Sequence, residues 1–158
     1  MIYILSAPIQ SGKTTSLINW SAARKDVYGI LTPVINARPD DEAGRVKRVF
    51  MNVQTREQFQ MEASGEEETL VVGRFVFSKA SFDKAIQIIR NSIHKEGWLV
   101  IDEIGPLEIE GKGFYTLVNE MLALRKNKMI LVVRSGLVKK VKDLFMINAT
   151  EVNRIDEV

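Results

Sequence analysis

The chain of 158 residues suits one domain, residues 1–158. Its 22 Lys and Arg against 20 Asp and Glu leave a net charge of +2, so the balance points to no polyanion and no nucleic-acid partner is required. The absence of cysteine excludes disulfides, thiolate nucleophiles and sulfur-ligated zinc, a single histidine excludes most other zinc sites, and 46% hydrophobic with 27% charged residues argues against wholesale disorder.

In chain order, Ile2 to Leu5 is an unbroken apolar run, the pattern of a strand covered on both faces. A segment able to be helical follows from Lys13. Two β-rich runs, YGILTPVI and RVKRVFMNV, flank the turn-rich RPDDEAG between Val27 and Thr55, which predicts an antiparallel hairpin added to the sheet. From Arg56 to Glu68 two readings stand: a short helix with an acidic loop, or an edge element. LVVGRFVF, Leu70 to Phe77, reads as one strand, with Arg74 on its solvent face or toward a cleft. Phe82, Ala85, Ile86, Ile89 and Ile93 share one helical face, and Phe114, Leu117, Val118, Met121 and Leu122 share another. Leu99 to Ile101 and Met129 to Val133 are further buried strands, and a last strand is expected near Phe145 to Asn148. Alternating strands and amphipathic segments predict an α/β fold with a mainly parallel sheet flanked by helices. No apolar stretch approaches the roughly 18 residues that cross a bilayer, and no basic leader precedes Ile2, so a cytoplasmic protein without a membrane partner is expected.

The strongest chemical signal directly follows the first strand. ILSAPIQSGKTTSLINW fits GxxxxGK[ST] from Ala7 to Thr14, with alanine at the first glycine position. Backbone N–H groups of such a loop and of the first helical turn have no intrahelical acceptor, so they converge on an anion with the helix dipole behind them. Ala7, Pro8, Gln10, Ser11, Gly12, Lys13, Thr14 and Thr15 are therefore the candidate nucleotide-binding residues. Lys13 is placed to reach the β and γ oxygens, Thr14 to enter the shell of a magnesium ion, and Gly12 to give the backbone room beside the lysine. The competing reading makes Thr14 and Thr15 ordinary helix-capping residues.

GWLVIDEIGPLE supplies a second element, a Walker B pattern with Asp102 and Glu103 at the end of an apolar run. The aspartate would anchor Mg2+ through water and the glutamate would polarise the attacking water. In an open α/β sheet ligands sit outside the carboxyl ends of the strands, so both motifs would meet at one edge. Asp102 as a turn cap and Glu103 as a structural acceptor are the plainer alternatives. Arg134, at the expected carboxyl end of a core strand, either reaches the γ-phosphate or pairs with a nearby acid. Lys139, Lys140 and Lys142 read as a solvated helix face, Trp20 and Trp98 as packing residues, and His94 has no catalytic role. Residues 104–113, IGPLEIEGKG, are either a flap over the nucleotide or a static connection.

On SGKTT, YGILTPVI with its hairpin, VGRFVFSKASFDKA, IDEIGPLEI and EVNR, the chain resembles the P-loop nucleoside-triphosphatase family of small single-domain proteins first known from thermophiles. The resemblance implies a RecA-like sheet, magnesium-dependent hydrolysis and broad tolerance of the base. It also implies phosphate binding by Gly12, Lys13, Thr14 and Thr15, magnesium on Asp102, and water activation by Glu103. Ala7 and Gln10 stand where the family has glycines, which implies slower turnover, and Arg134 stands where the family tends to carry a histidine.

The primary expectation is hydrolysis of ATP, GTP or other nucleoside triphosphates, with Lys13, Glu103 and Arg134 catalytic and Thr14 and Asp102 on the metal. A nucleotide or small-metabolite kinase is the first alternative, disfavoured because no arginine-rich lid segment is evident. The second is a slow-turnover nucleotide-dependent binding protein. A dedicated guanine switch is disfavoured because Ile130 stands where an aspartate would follow Asn127 and Lys128.

Overall fold

A computed structural model describes residues 1–8, 11–35 and 47–158. The described elements, in chain order, are β1 (Ile2–Ala7), α1 (Lys13–Ala22), β2 (Val27–Leu31), β3 (Val34–Ile35), β4 (Lys47–Asn52), β5 (Gln58–Gln60), β6 (Thr69–Val72), β7 (Phe75–Ser78), α2 (Lys79–Arg90), β8 (Trp98–Ile104), α3 (Pro106–Ile109), α4 (Tyr115–Leu124), β9 (Lys128–Arg134), α5 (Val138–Phe145) and β10 (Thr150–Val152). They build an eight-stranded sheet in the order β10-β1-β9-β8-β2-β4-β3, with β5 also on β4. β10, β1, β9, β8 and β2 are mutually parallel, so their carboxyl ends share one edge.

The apolar runs became central strands because helices cover both faces and successive side chains point to opposite sides. Ile4, Leu99, Ile101, Met129, Leu131 and Val133 face a core completed by α2, α4 and α5. Their neighbours Leu5, Val100, Ile130 and Val132 face the opposite core, which Leu17 of α1 closes. In α2 the expected stripe is buried through Phe82, Ala85 and Ile89, capped at its start by Ser78, whose hydroxyl accepts from the Ser81 amide at 3.1 Å. The helix ends at Arg90, and Ile93 is buried in the connection beyond it. Among the described residues no helix is long and apolar enough to cross a membrane.

The antiparallel addition is present, with its boundary shifted. β2 belongs to the parallel core, pairing with β8 on one side, and β3, β4 and β5 extend the sheet antiparallel on the other. The RPDDEAG turn lies outside the described residues. Within Arg56 to Glu68 the edge-element reading holds, since Gln58–Gln60 pairs with β4.

Two expectations are corrected. LVVGRFVF is two strands, not one: Gly73 takes φ +56°, turning the chain so that Val72 pairs with Phe75 and Val71 with Val76 in a separate two-stranded sheet. Arg74 therefore sits in the turn, its guanidinium 5.3 Å from the Phe75 ring centre, rather than in mid-strand. The last strand is Thr150–Val152, not Phe145 to Asn148. Phe145 closes α5 because it continues the buried helical stripe of Val138 and Val141, and Met146 stops the helix in a left-handed conformation.

Candidate active site

The turn from β1 into α1 is shaped by Gly12, which lies at φ +79° as the residue before the helix. A side chain there would be strained, whereas glycine adopts this conformation freely. No side chain caps the helix and its first turn holds no acidic residue. The Ser16 amide bonds Gly12 O at 2.9 Å, and the amides of Lys13, Thr14 and Thr15 precede it, in the turn whose donors have no intrahelical acceptor. The capping reading of Thr14 and Thr15 finds no support in this geometry, because neither hydroxyl caps the helix start.

The Lys13 ammonium folds back over the loop, donating to the carbonyls of Ala7 at 2.7 Å and Pro8 at 3.1 Å. With three N–H groups, it keeps one for another acceptor. Burial pushes the Lys13 ammonium below its ordinary pKa; Glu103 and Asp102 pull it upward, and Arg48 and Arg134 push it down. Lys13 thus sits within the fields of two carboxylates and two guanidinium groups.

Thr14 Oγ1 donates to Asp102 Oδ2 at 2.7 Å, linking the first strand–helix turn to the end of β8. The amide of Thr32, just past β2, donates to the same oxygen at 3.1 Å. Asp102 is only 1% exposed, and its Oδ1 accepts no hydrogen bond among the described residues. The Thr14 hydroxyl spends its proton on Asp102, which leaves its lone pairs available.

At Glu103 the pairing of β8 with β9 is irregular: Asp102 faces Val132 and Ile104 faces Val133, so Glu103 has no partner in the ladder. Arg134 ends β9 in register with Ala7, and its Nε donates to Glu103 Oε1 at 2.8 Å. Of the two readings of Arg134, pairing with an acid is the one visible here, and the acid is the candidate base.

After β8 the chain is pinned. Glu108 Oε2 accepts from the Gly105 amide at 2.8 Å and Oε1 from the Phe114 amide at 2.9 Å. The carboxyl is 2% exposed, and burial, opposed by these hydrogen bonds, raises its pKa to about 7. Residues 104–113 hold α3 and this clasp.

Lys13, Thr14, Asp102, Glu103 and Arg134 are thus gathered at one sheet edge. Ala7 and Pro8 line the same turn through their carbonyls, and Ser11 and Thr15 are exposed beside it; Gln10 lies outside the described residues. Elsewhere, Lys139 and Lys142 pair with Asp143 and Glu151 on the solvated side of α5, and Trp20 packs edge-on against Trp98 at 5.9 Å. Sequence reasoning missed Thr32, Arg48 and Glu108. For Glu108 a signal existed, since Gly-Pro-Leu-Glu places Pro at the first helical position and Glu at the third. Thr32 and Arg48 carry no local signal, because only strand pairing brings them here.

Comparison with known proteins agrees with this geometry. The profile of the family described as NTPase matches residues 2–157. The chain belongs to the NTPase family. It is a P-loop hydrolase acting on nucleoside triphosphates. No curated protein matches it significantly in sequence. Among solved structures, it is similar to THEP1 from the hyperthermophile Aquifex aeolicus, with 21% identity and a TM-score of 0.70 over 99% of this chain and 91% of that one. It is also similar to a human cancer-related nucleoside triphosphatase, with 20% identity and a TM-score of 0.66 over 98% and 89% of the two chains. These likenesses concern the fold, a RecA-like arrangement in which β9 separates β1 from β8.

Proposed function

We propose that the enzyme hydrolyses nucleoside triphosphates to diphosphate and phosphate in a magnesium-dependent reaction with broad base tolerance, using Lys13, Thr14, Asp102, Glu103 and Arg134. The observation that carries this reading is the 2.7 Å bond from Thr14 to Asp102, which joins the two motifs at the edge where the helix start is uncapped.

The residues fit a magnesium ion. Thr14 and Asp102 offer hard oxygen donors, and no group of three or more His, Cys, Asp or Glu side chains suited to a metal occurs among the described residues. That matches an ion held by one or two protein oxygens plus the substrate's phosphates rather than by a protein cage. Once bound, magnesium would supply neutralisation of the phosphate charge.

Loop amides and the remaining Lys13 N–H hold the β and γ oxygens, with Lys13 itself steadied by the carbonyls of Ala7 and Pro8. Glu103 orients a water and takes its proton as the water oxygen attacks the γ-phosphorus; the bond from that phosphorus to the bridging oxygen breaks, and the diphosphate leaves. Arg134 spends one of its five N–H donors on Glu103 and directs others toward the phosphate. Slow turnover is part of the reading, because Ala7 and Gln10 stand in the loop where the family has glycines.

The test is a panel of triphosphates assayed with and without magnesium and with no phosphoryl acceptor. Phosphate release from several bases, only with magnesium, is expected. Release that requires an added acceptor would make the protein a kinase, and equal release by wild type and Lys13→Ala would remove the site altogether.

A further inference from the structure

The β3–β4 hairpin runs past the carboxyl edge of the parallel strands. Leu31 pairs with Met51 where β2 ends, and the preceding residues of β4 continue beyond, with Val49 N–H bonded to Pro33 O at 3.1 Å and Arg48 opposite Val34. Val34 lies two residues past Thr32, whose amide holds Asp102. β3 and β4 therefore overhang the edge where Lys13, Asp102 and Glu103 meet, and among their described cations it is Arg48 whose charge reaches Lys13.

We propose that Arg48 is a further catalytic residue, contacting the terminal phosphate of the bound triphosphate from the side opposite Arg134; this rests on the hydrolase reading above. The charge balance supports it. Lys13 and Arg134 offset Asp102 and Glu103, so Arg48 is a positive charge left over for the substrate, added to that of the magnesium ion the triphosphate would bring. Arg48 is half-buried, and among the described residues it has no carboxylate at ion-pair distance, although Glu62 lines the same groove. A guanidinium that has lost water without gaining a counter-ion favours an incoming oxyanion, and its planar fork suits phosphate. A contact to the γ-phosphate alone would also separate triphosphate from diphosphate, which the loop amides and Lys13 hold in common.

The experiment measures hydrolysis, and binding of a non-hydrolysable triphosphate and of the diphosphate, each with magnesium, for wild type, Arg48→Ala, Arg48→Gln, Lys47→Ala and Lys13→Ala. Removing Arg48 is expected to lower kcat/KM by roughly 10- to 100-fold, to weaken triphosphate more than diphosphate, and to be partly rescued by added guanidinium ion. Lys47→Ala removes the same charge from the neighbouring position and is expected to stay within about twofold of wild type, since a distant charge acts weakly through solvent. Equal losses for tri- and diphosphate, no rescue by guanidinium in a variant with wild-type circular dichroism and melting, or equal damage from Lys47→Ala would each overturn the proposal. Arg48→Gln decides the matter if Arg48→Ala does not fold. If Lys13→Ala abolishes hydrolysis while the Arg48 variants match wild type, only Arg48 is reassigned; if Lys13→Ala is as active as wild type, the hydrolase site itself is wrong.

Discussion

Two connections leave the same sheet edge and treat their helix starts in opposite ways. After β1, the chain enters α1 through Gly12 with no capping side chain and no acid in the first turn. After β8, Glu108 reaches back to the Gly105 amide before α3 and across to the Phe114 amide before α4, so the entry to each of these helices is met by the protein's own carboxyl group. The difference teaches where charge is meant to go. A helix start that the chain caps itself is closed to an external anion, and one left uncapped beside a lysine retains donors for a phosphate. The capped connection, in turn, steadies the strand end that carries Asp102 and Glu103.

The comparison breaks most visibly at the open turn and its carboxylates. Glu103→Gln is expected to cut turnover by about 10²- to 10⁴-fold while nucleotide affinity stays near wild type, because the amide keeps the shape but cannot take the proton. Stopped-assay kinetics beside equilibrium nucleotide binding check this; parallel loss of both would mean the glutamate only supports structure. Lys13→Ala should cost roughly 10²- to 10³-fold in kcat/KM, the scale of one preorganised charge at the transferring group. Asp102→Asn should raise the magnesium concentration needed for half-maximal rate by about 10- to 100-fold, the scale seen when groups that orient a metal are lost. A magnesium titration reads that shift, and an unchanged midpoint would remove Asp102 from the metal site.

At the closed connection the effect is on stability. Glu108→Gln turns one acceptor into a donor facing a buried amide, with an expected cost of about 1–3 kcal/mol in urea unfolding and little change in turnover per folded molecule. Its pH dependence has a definite sign. The folded pKa of about 7 lies above the ordinary 4.5, so the folded state binds the proton more tightly. The stability this group contributes is present below pH 4.5 and is lost as pH rises through about 7. Glu108→Gln should flatten that slope, and an identical slope in both proteins would show that the carboxyl stays ionised. Smallest of all, Lys139→Ala on the solvated face of α5 should change stability by less than about 0.5 kcal/mol, because its partner Asp143 is also exposed.

How much of this could be read beforehand depended on how local each feature is. The buried strands, the helical stripes and the phosphate-binding turn are periodicities or short motifs, and each is visible within about a dozen residues. LVVGRFVF misled because the apolar pattern on both sides of Gly73 is equally good for one long strand or two paired ones. Phe145 misled because a short apolar run looks the same at a helix end as in a buried strand, until the spacing from Val138 and Val141 is followed. Residues 56–68 stayed open because an edge strand of three residues buries too little to leave a pattern.

By itself the sequence determined that an anion-binding turn follows the opening strand and that two acids end a later one, because local backbone geometry and side-chain chemistry suffice for those statements. Only the tertiary structure decided that Thr14 meets Asp102, that Arg134 holds Glu103, and that Arg48 overhangs the same edge. Those contacts depend on the order and register of strands far apart in the chain, which are set by closing one shared core over both faces of the sheet.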